Sequence, residues 1–372
     1  MFMLFGVIAI MMIYLPLYFQ EQGLSKTEIG VIFGVGSFVS IFSQPIWGVV
    51  SDRRNTVKRV LIALIVISAA ISIGLFYLNG LLLLIIVYCA FNLFFSAIPS
   101  LTESLAVSTA ERAGRGFGVI RLWGEVGLGL FSLTLGIVVS AIGLSNLIWI
   151  YVGVVLVFLV SAMFLQDAQI RSAALKSEHF VKLFTNPAFL WFLFIVLLTS
   201  IPHRMNDGLI GIYLTALGGT EQQVGRAWMV ATFSSVPLLA FGAFFVRRFH
   251  PMLLISVISS LYVIRWLVFA STDNPDTLVL LQAMQGLTFP LFLVSAVFYI
   301  TRIVPPELRS TGQTTYAAVF GGIAGIIGNI GGGYVLDHFA PNTIYLIGSV
   351  FSLAGAVAAG ATWLRLRRSA AD

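Results

Sequence analysis

The sequence predicts an all-α integral membrane protein with about twelve transmembrane helices in two six-helix bundles. Three observations carry that expectation. Hydrophobic residues make up 59% of the 372-residue chain and charged residues only 10%, with a mean hydropathy of +0.99, far more apolar than a soluble chain of ordinary composition. Apolar runs long enough to supply the ~20 helical residues that cross a ~30 Å hydrocarbon core recur along the whole length. One long polar segment, "QDAQIRSAALKSEHFVKLFTNP" at 166–187, falls at the midpoint.

Taken in order, the apolar runs place helices near 1–20, 28–51, 58–78, 81–109, 117–142 and 146–166, and a second six near 187–217, 221–246, 251–271, 275–303, 313–338 and 342–364. The first run is too long for a signal-peptide core and leads straight into another span, so it is read as the first helix of the mature protein. The halves are then 1–166 and 187–372, with 167–186 as a central cytoplasmic loop. A weak internal repeat supports the division, because "ERAGRG" (111–116) after the fourth helix corresponds to "ELRSTG" (307–312) after the tenth.

Basic residues set the orientation, since they accumulate in short cytoplasmic segments near helix ends. Arg53, Arg54, Lys58, Arg59, Arg112, Arg115, Arg171, Lys176, Lys182, Arg247, Arg248, Arg302, Arg309, Arg365, Arg367 and Arg368 flank even-numbered connections or the C-terminus, whereas only Lys26 and Arg226 stand opposite. Both termini are therefore expected in the cytoplasm, with the chain in the inner membrane. The formal charge of +6 is a topology signal and not a nucleic-acid surface. Two related bundles facing each other form a transporter architecture with its substrate site at their interface near mid-membrane.

Several patterns narrow the function by exclusion. The single cysteine, Cys89, lies in an apolar run, so neither a disulfide framework nor a cysteine-based metal site is available. "GGIAGIIGNIGGG" (321–333) has no preceding strand or phosphate-contacting context and reads as close helix packing. No phosphate-binding loop or catalytic triad pattern occurs, so ATP-driven pumping or hydrolysis has no residues to perform it. No enzyme activity, cofactor, metal or nucleic-acid partner is expected.

Other residues resemble those of a known family. "GVVSDRRNTVKR" (48–59) between the second and third helices is similar to the loop signature of the major facilitator superfamily. Gly48 would allow close helix approach, and the Asp52 carboxylate, followed by Arg53, would pair in one conformational state and release in the other. The usual second glycine is replaced by Asn55, which tolerates left-handed backbone angles. The second half keeps only a worn copy, "GAFFVRRF" (242–249), with Val246 in the acidic position.

"FGVIRLWGEVGLG" (117–129), with Glu103 placed 18 residues before Arg121, resembles the lactose permease and phenylpropionate permease group of proton symporters. At 1.5 Å rise per residue both side chains would sit roughly 8–10 Å inside the membrane face, where antiparallel neighbours can meet. Glu125 shares the face of Arg121 one turn on. The resemblance implies that Glu103 and Arg121 bind substrate, Glu125 joins them as a candidate through the face it shares with Arg121, and the spacing from Arg265 to Pro290 extends the role to Arg265. Trp123 and Trp266, beside the two arginines, are candidates for stacking on an aromatic or sugar ring. Gln285 and Thr288 stand where lactose permease carries the tenth-helix His and Glu of proton coupling, and Ser234 or Ser235 replaces the eighth-helix acid, so coupling must lie elsewhere.

The seventh span supplies a candidate. "TSIPHRMNDGLIGIYL" (199–214) places His203, Arg204 and Asp207 at mid-membrane, where a charged side chain costs at least ~2.5–3.5 kcal/mol on insertion scales. On a helix His203 and Asp207 are four apart and Arg204 and Asp207 three apart, so one face holds an acid with a base and a cation. Pro202 leaves the Leu198 carbonyl without its helical donor, which favours a kink and polar lining. Asp207 is thus the expected proton-coupling residue, with His203 second and Arg204 as partner. The function expected is a monomeric secondary active transporter moving a small organic solute, either an organic acid or sugar-like, by alternating access in symport with protons. A proton-coupled exporter and a transport-inactive receptor or scaffold are the alternatives.

Overall fold

The computed structural model describes residues 1–114, 117–168 and 183–369. Most of the 167–186 connection, together with Arg115, Arg171, Lys176 and Lys182, lies outside them. The helices are α1 (Phe2–Glu21), α2 (Lys26–Arg53), α3 (Val57–Tyr77), α4 (Leu81–Arg112), α5 (Phe117–Ile142), α6 (Leu144–Met163), α7 (Pro187–Ala216), α8 (Glu221–Arg248), α9 (Pro251–Ala270), α10 (Pro275–Ile303), α11 (Thr311–His338) and α12 (Thr343–Arg368). All but α8 stand among eleven described helices long and apolar enough to cross a membrane.

Local sequence chemistry fixes where these helices begin. Ser25 and Glu28 form a capping box at α2, and Thr220 and Gln223 another at α8, each satisfying two otherwise orphaned backbone N–H groups. The dipeptides Asn186-Pro187, His250-Pro251 and Asn274-Pro275 start α7, α9 and α10 by pairing a side-chain cap with a proline at the first helical position. Asn55 adopts a φ of +50° in the α2–α3 turn, the left-handed geometry that the glycine replacement foreshadows. α7 runs through Pro202 as one 30-residue helix.

The most extensive contacts between the halves are α2 on α11 and α5 on α8, with α1 packing more lightly on α7. Exchanging the first six helices with the last six turns the first of these pairs into the second. Both rest on missing side chains. A Cβ at Gly30 would fall on the Asn329 carbonyl, and one at Gly225 on the Ser132 carbonyl, so only glycine lets these backbones approach.

One membrane face carries the start of α1, the end of α12 and the α2–α3 turn. On the opposite face the halves are fastened together. The Asp337 carboxylate of α11 accepts bonds from the Lys26 N–H (3.1 Å), the Thr27 N–H (2.7 Å) and the Thr27 hydroxyl (2.6 Å) at the start of α2. Lys26 Nζ answers by donating to the Leu336 carbonyl at 2.9 Å, and Ser140 of α5 donates to Glu221 of α8 at 3.3 Å. An anion at a helix N-terminus satisfies free N–H groups and meets the positive end of the dipole.

Asp167 does the same within the N-terminal half, accepting from the Thr56 hydroxyl and from the Val57 and Lys58 N–H groups at 3.0 Å each. Burial pushes its carboxyl up, but the bonds from Lys58, Thr56, Ala168 and Val57 outweigh burial and hold it below the usual carboxylate range. A depressed carboxylate stabilises the fold above the ordinary carboxylate range and loses that contribution as pH falls through its folded-state value. Asp167→Ala should therefore lower the thermal stability of the purified protein by about 1 kcal/mol at neutral pH, and the deficit should shrink as pH falls below the ordinary carboxylate range. Melting curves against pH check this, and an equal deficit throughout would contradict it.

Candidate functional site

Where the far face closes, the face bearing the α2–α3 turn splays, leaving a cavity of about 990 Å³ between the halves. Its N-terminal wall comes from α2 and α4 and includes Ser37, Gln44, Tyr88, Asn92, Ser100 and Glu103. The C-terminal wall comes from α7 and α11 and includes Arg204, Gly208, Gln313, Gly321, Gly322 and Asn329. Rings back the first wall: Phe33 and Tyr88 lie 5.0 Å apart and Phe91 stacks on Phe95 at 4.7 Å. Small residues form much of the second, where α11 widens into a π-turn at Ala318–Ile323; a matching turn in α1 spans Ile10–Tyr14. Such widened turns recur at functional sites because they free backbone groups from the regular ladder.

Glu103 reaches the cavity from α4 and meets Arg121 of α5, Oε1 to Nε at 3.3 Å. Arg121 Nη1 also holds Glu125 Oε1 at 2.9 Å, and its guanidinium lies 4.7 Å from the centre of the Phe5 ring. The three residues selected from α4 and α5 are thus brought together, with Arg121 and Glu125 behind Glu103. Trp123 is not part of this group. It lies two residues from Arg121, 59% exposed and outside the cavity lining.

Arg265 is also placed differently from the sequence expectation. It is 0% exposed and outside the cavity lining, with Nη1 donating to Gln285 Oε1 (2.6 Å) and Thr288 Oγ1 (3.3 Å) and Nη2 to Gln282 Oε1 (2.9 Å). Trp266 and Phe269 lie against its guanidinium, and Trp266, itself buried, donates to Ser352. Gln285 and Thr288, which replace the acid and base of the resembling group, are therefore the neutral acceptors that solvate a buried cation.

Behind the cavity wall formed by α7, Asp207 Oδ2 lies 3.4 Å from both His203 Nε2 and Arg204 Nη1. His203 also approaches the Tyr262 hydroxyl at 3.3 Å and stacks on Phe289 at 4.8 Å. Asp207 Oδ1, Arg204 Nε and Asn329 Oδ1 are buried without a hydrogen-bond partner. Arg204 lines the cavity, while Asp207 lies behind it, facing a narrow gap shared with Gln282 and Gln285.

At the mouth Asp52 lines the cavity, and its carboxylate makes no ion pair with a described residue. A Cβ at Gly48 would meet nothing within 4 Å, so the close approach expected there is not made in this conformation; Arg53 is exposed. Sequence reading missed Asn329, hidden in a glycine run taken as packing, and Tyr88 with Asn92. A lone amide or a Tyr–Asn pair at helical spacing within an apolar span was the available signal.

The profile of the MFS_1 like family matches residues 1–347. The chain is 25% identical over 356 residues to the maltose permease of Geobacillus stearothermophilus, covering 95% of this chain and 90% of that protein. It is likewise 25% identical over 352 residues to a probable 3-phenylpropionic acid transporter of Escherichia coli, covering 91% and 90%. A crystal structure of a point mutant of the nucleoside transporter NupG superposes with a TM-score of 0.87 at 18% identity, covering 97% of each chain.

The solvation of Arg265 gives a direct test of the site's construction. Gln285→Ala leaves a buried guanidinium short of an acceptor and should cost about 1.5–3 kcal/mol, the range for hydrogen bonds to charged groups, read as a lower melting temperature. A variant melting with the wild type would contradict this arrangement.

Proposed function

The chain belongs to the MFS_1 like family of membrane transporters, and from that premise we propose that it imports a small hydroxylated organic solute together with protons by alternating access. The observation that carries the reading is the polar cavity between two halves, fastened shut on one face, with the Arg204 cation in its lining and the His203 base and Asp207 acid buried behind it. In this reading the open mouth and both termini face the cytoplasm, the chain lies in the inner membrane as a monomer, and the structure is the inward-open state. Closing the mouth gives Asp52 and Arg53 the pairing they lack here, and opening the far face releases Asp337 from α2.

The lining favours a sugar-like or nucleoside-like solute over an organic acid. Arg265 is sealed away from the cavity, Arg204 already has a carboxylate neighbour, and Glu103 projects from the opposite wall. A carboxylate entering between these walls would meet Glu103, whereas hydroxyl groups can both donate to it and accept from Arg204. The relatives named for maltose and nucleoside transport are consistent with that choice.

Substrate binding rests on Glu103, with Arg121 and Glu125 orienting it, and proton coupling rests on Asp207 assisted by His203 and Arg204. Two variants separate the roles. Glu103→Gln should weaken binding of uridine or maltose about 10- to 100-fold, the equivalent of one charge-assisted hydrogen bond, with a near wild-type melting temperature. Asp207→Asn should retain exchange of solute across proteoliposomes but lose accumulation driven by a pH gradient. Concentrative uptake by Asp207→Asn would remove it as the coupling residue, and wild-type affinity in Glu103→Gln would remove Glu103 from the binding site.

A further inference from the structure

Arg204 stands between the substrate cavity and Asp207, and its bonds are incomplete on both sides. Its Nη1 lies 3.4 Å from Asp207 Oδ2, longer than the ~2.7–2.9 Å of a strong charge-assisted bond. Its Nε is buried without a partner, and the side chain lines the cavity beside Gly208 and Asn329. Across the interface Tyr88 lies within reach of its charge, and Ser37 packs on the neighbouring turn of α11 at Gly325. A planar fork so weakly committed to its carboxylate is free to turn towards a solute oxygen.

Asp207 depends on that fork. Around it stand His203 and Arg204 on its own helix, Arg265 and Tyr262 on α9, the neutral Gln282 and Gln285 on α10, and Trp228 on α8, while Asn329 of α11 packs on the next residue, Gly208. Arg265 faces it but spends its donors on Gln282, Gln285 and Thr288. Oδ1 is unpartnered. When Arg204 leaves, the carboxylate keeps only the 3.4 Å contact with His203 Nε2 and the charge of Arg265, whose donors are spent on other side chains. A buried carboxylate with no cation in direct contact is costly enough that it takes up a proton instead.

We propose that Arg204 is the group shared by substrate and proton: a solute oxygen and Asp207 compete for its guanidinium, so binding the solute loads the proton. This inference rests on the transporter reading above and adds the physical link between its two sites. The exchange breaks no covalent bond. The Arg204 hydrogen bond passes from Asp207 Oδ2 to a solute oxygen, and one proton delivered by hydronium or a buffer acid adds to Asp207, leaving water or the buffer base, with Oδ1 the free acceptor. Linkage makes the effect reciprocal, so low pH tightens solute binding as solute binding draws in a proton.

Proton uptake on binding tests this directly. With uridine and maltose as probes and a pH-indicator dye in weakly buffered detergent solution, the wild-type protein should take up close to one proton per solute bound, and its Kd should rise with pH. Asp207→Asn should bind without proton uptake. Arg204→Lys keeps the charge the fold requires but cannot reproduce the fork, so it should bind about 10- to 100-fold more weakly, with no proton uptake and no pH dependence of Kd. Proton uptake surviving in Asp207→Asn would overturn the coupling assignment itself. Uptake lost in Asp207→Asn but intact in Arg204→Lys would overturn the Arg204 link and leave the coupling assignment standing.

Discussion

Within a bilayer a charge must be solvated by the protein or not be charged at all, and that constraint organises this molecule. In the C-terminal half two guanidinium groups, Arg204 and Arg265, accompany one carboxylate, Asp207, an excess of one positive charge by 2 − 1. In the N-terminal half Arg121 accompanies Glu103 and Glu125, an excess of one negative charge by 2 − 1. The halves are complementary across the cavity. Arg265 keeps its charge but spends donors on the neutral Gln282, Gln285 and Thr288, whereas Arg204 lines the cavity with its Nε unpartnered. A neutral solute between the walls preserves this balance, and an anion would not.

The conformational apparatus is built from backbone. Glycine contacts hold α2 against α11 and α5 against α8 with little side-chain volume between them, and Asp337 fastens the far face through helix-terminal N–H groups instead of a buried ion pair. Such contacts are specific yet individually modest. The widened turns in α1 and α11 both contribute to the cavity lining.

The fold was almost fully legible because the bilayer demands long apolar runs, and capping residues mark their ends. Two charged clusters were legible for the same reason: Glu103, Arg121 and Glu125, and His203, Arg204 and Asp207, are ionisable groups at helical spacing in apolar sequence, and each set converges. Which way a side chain faces was not legible from a local window. Arg265 looked like a substrate contact because family spacing carried it over, but the partners that seal it in are on another helix. Trp123 looked usable because of its neighbour in sequence, whereas helix rotation carries it away from Arg121. Asp337 and Asn329 act on backbone in other helices, which no single stretch of sequence reveals.

If Asp207 couples protons to transport, its protonation alternates with conformation. Infrared difference spectroscopy reads it directly, by comparing the wild-type protein with Gly30→Leu, whose side chain cannot fit against the Asn329 carbonyl and forces the far face open. The account predicts a protonated-carboxyl band that changes between the two states, shifts in deuterium oxide and is missing when Asp207→Asn is added to either. An identical carboxyl spectrum in both states, with the opening of Gly30→Leu verified by spin-label distances between Gln22 and Ala340, would contradict it.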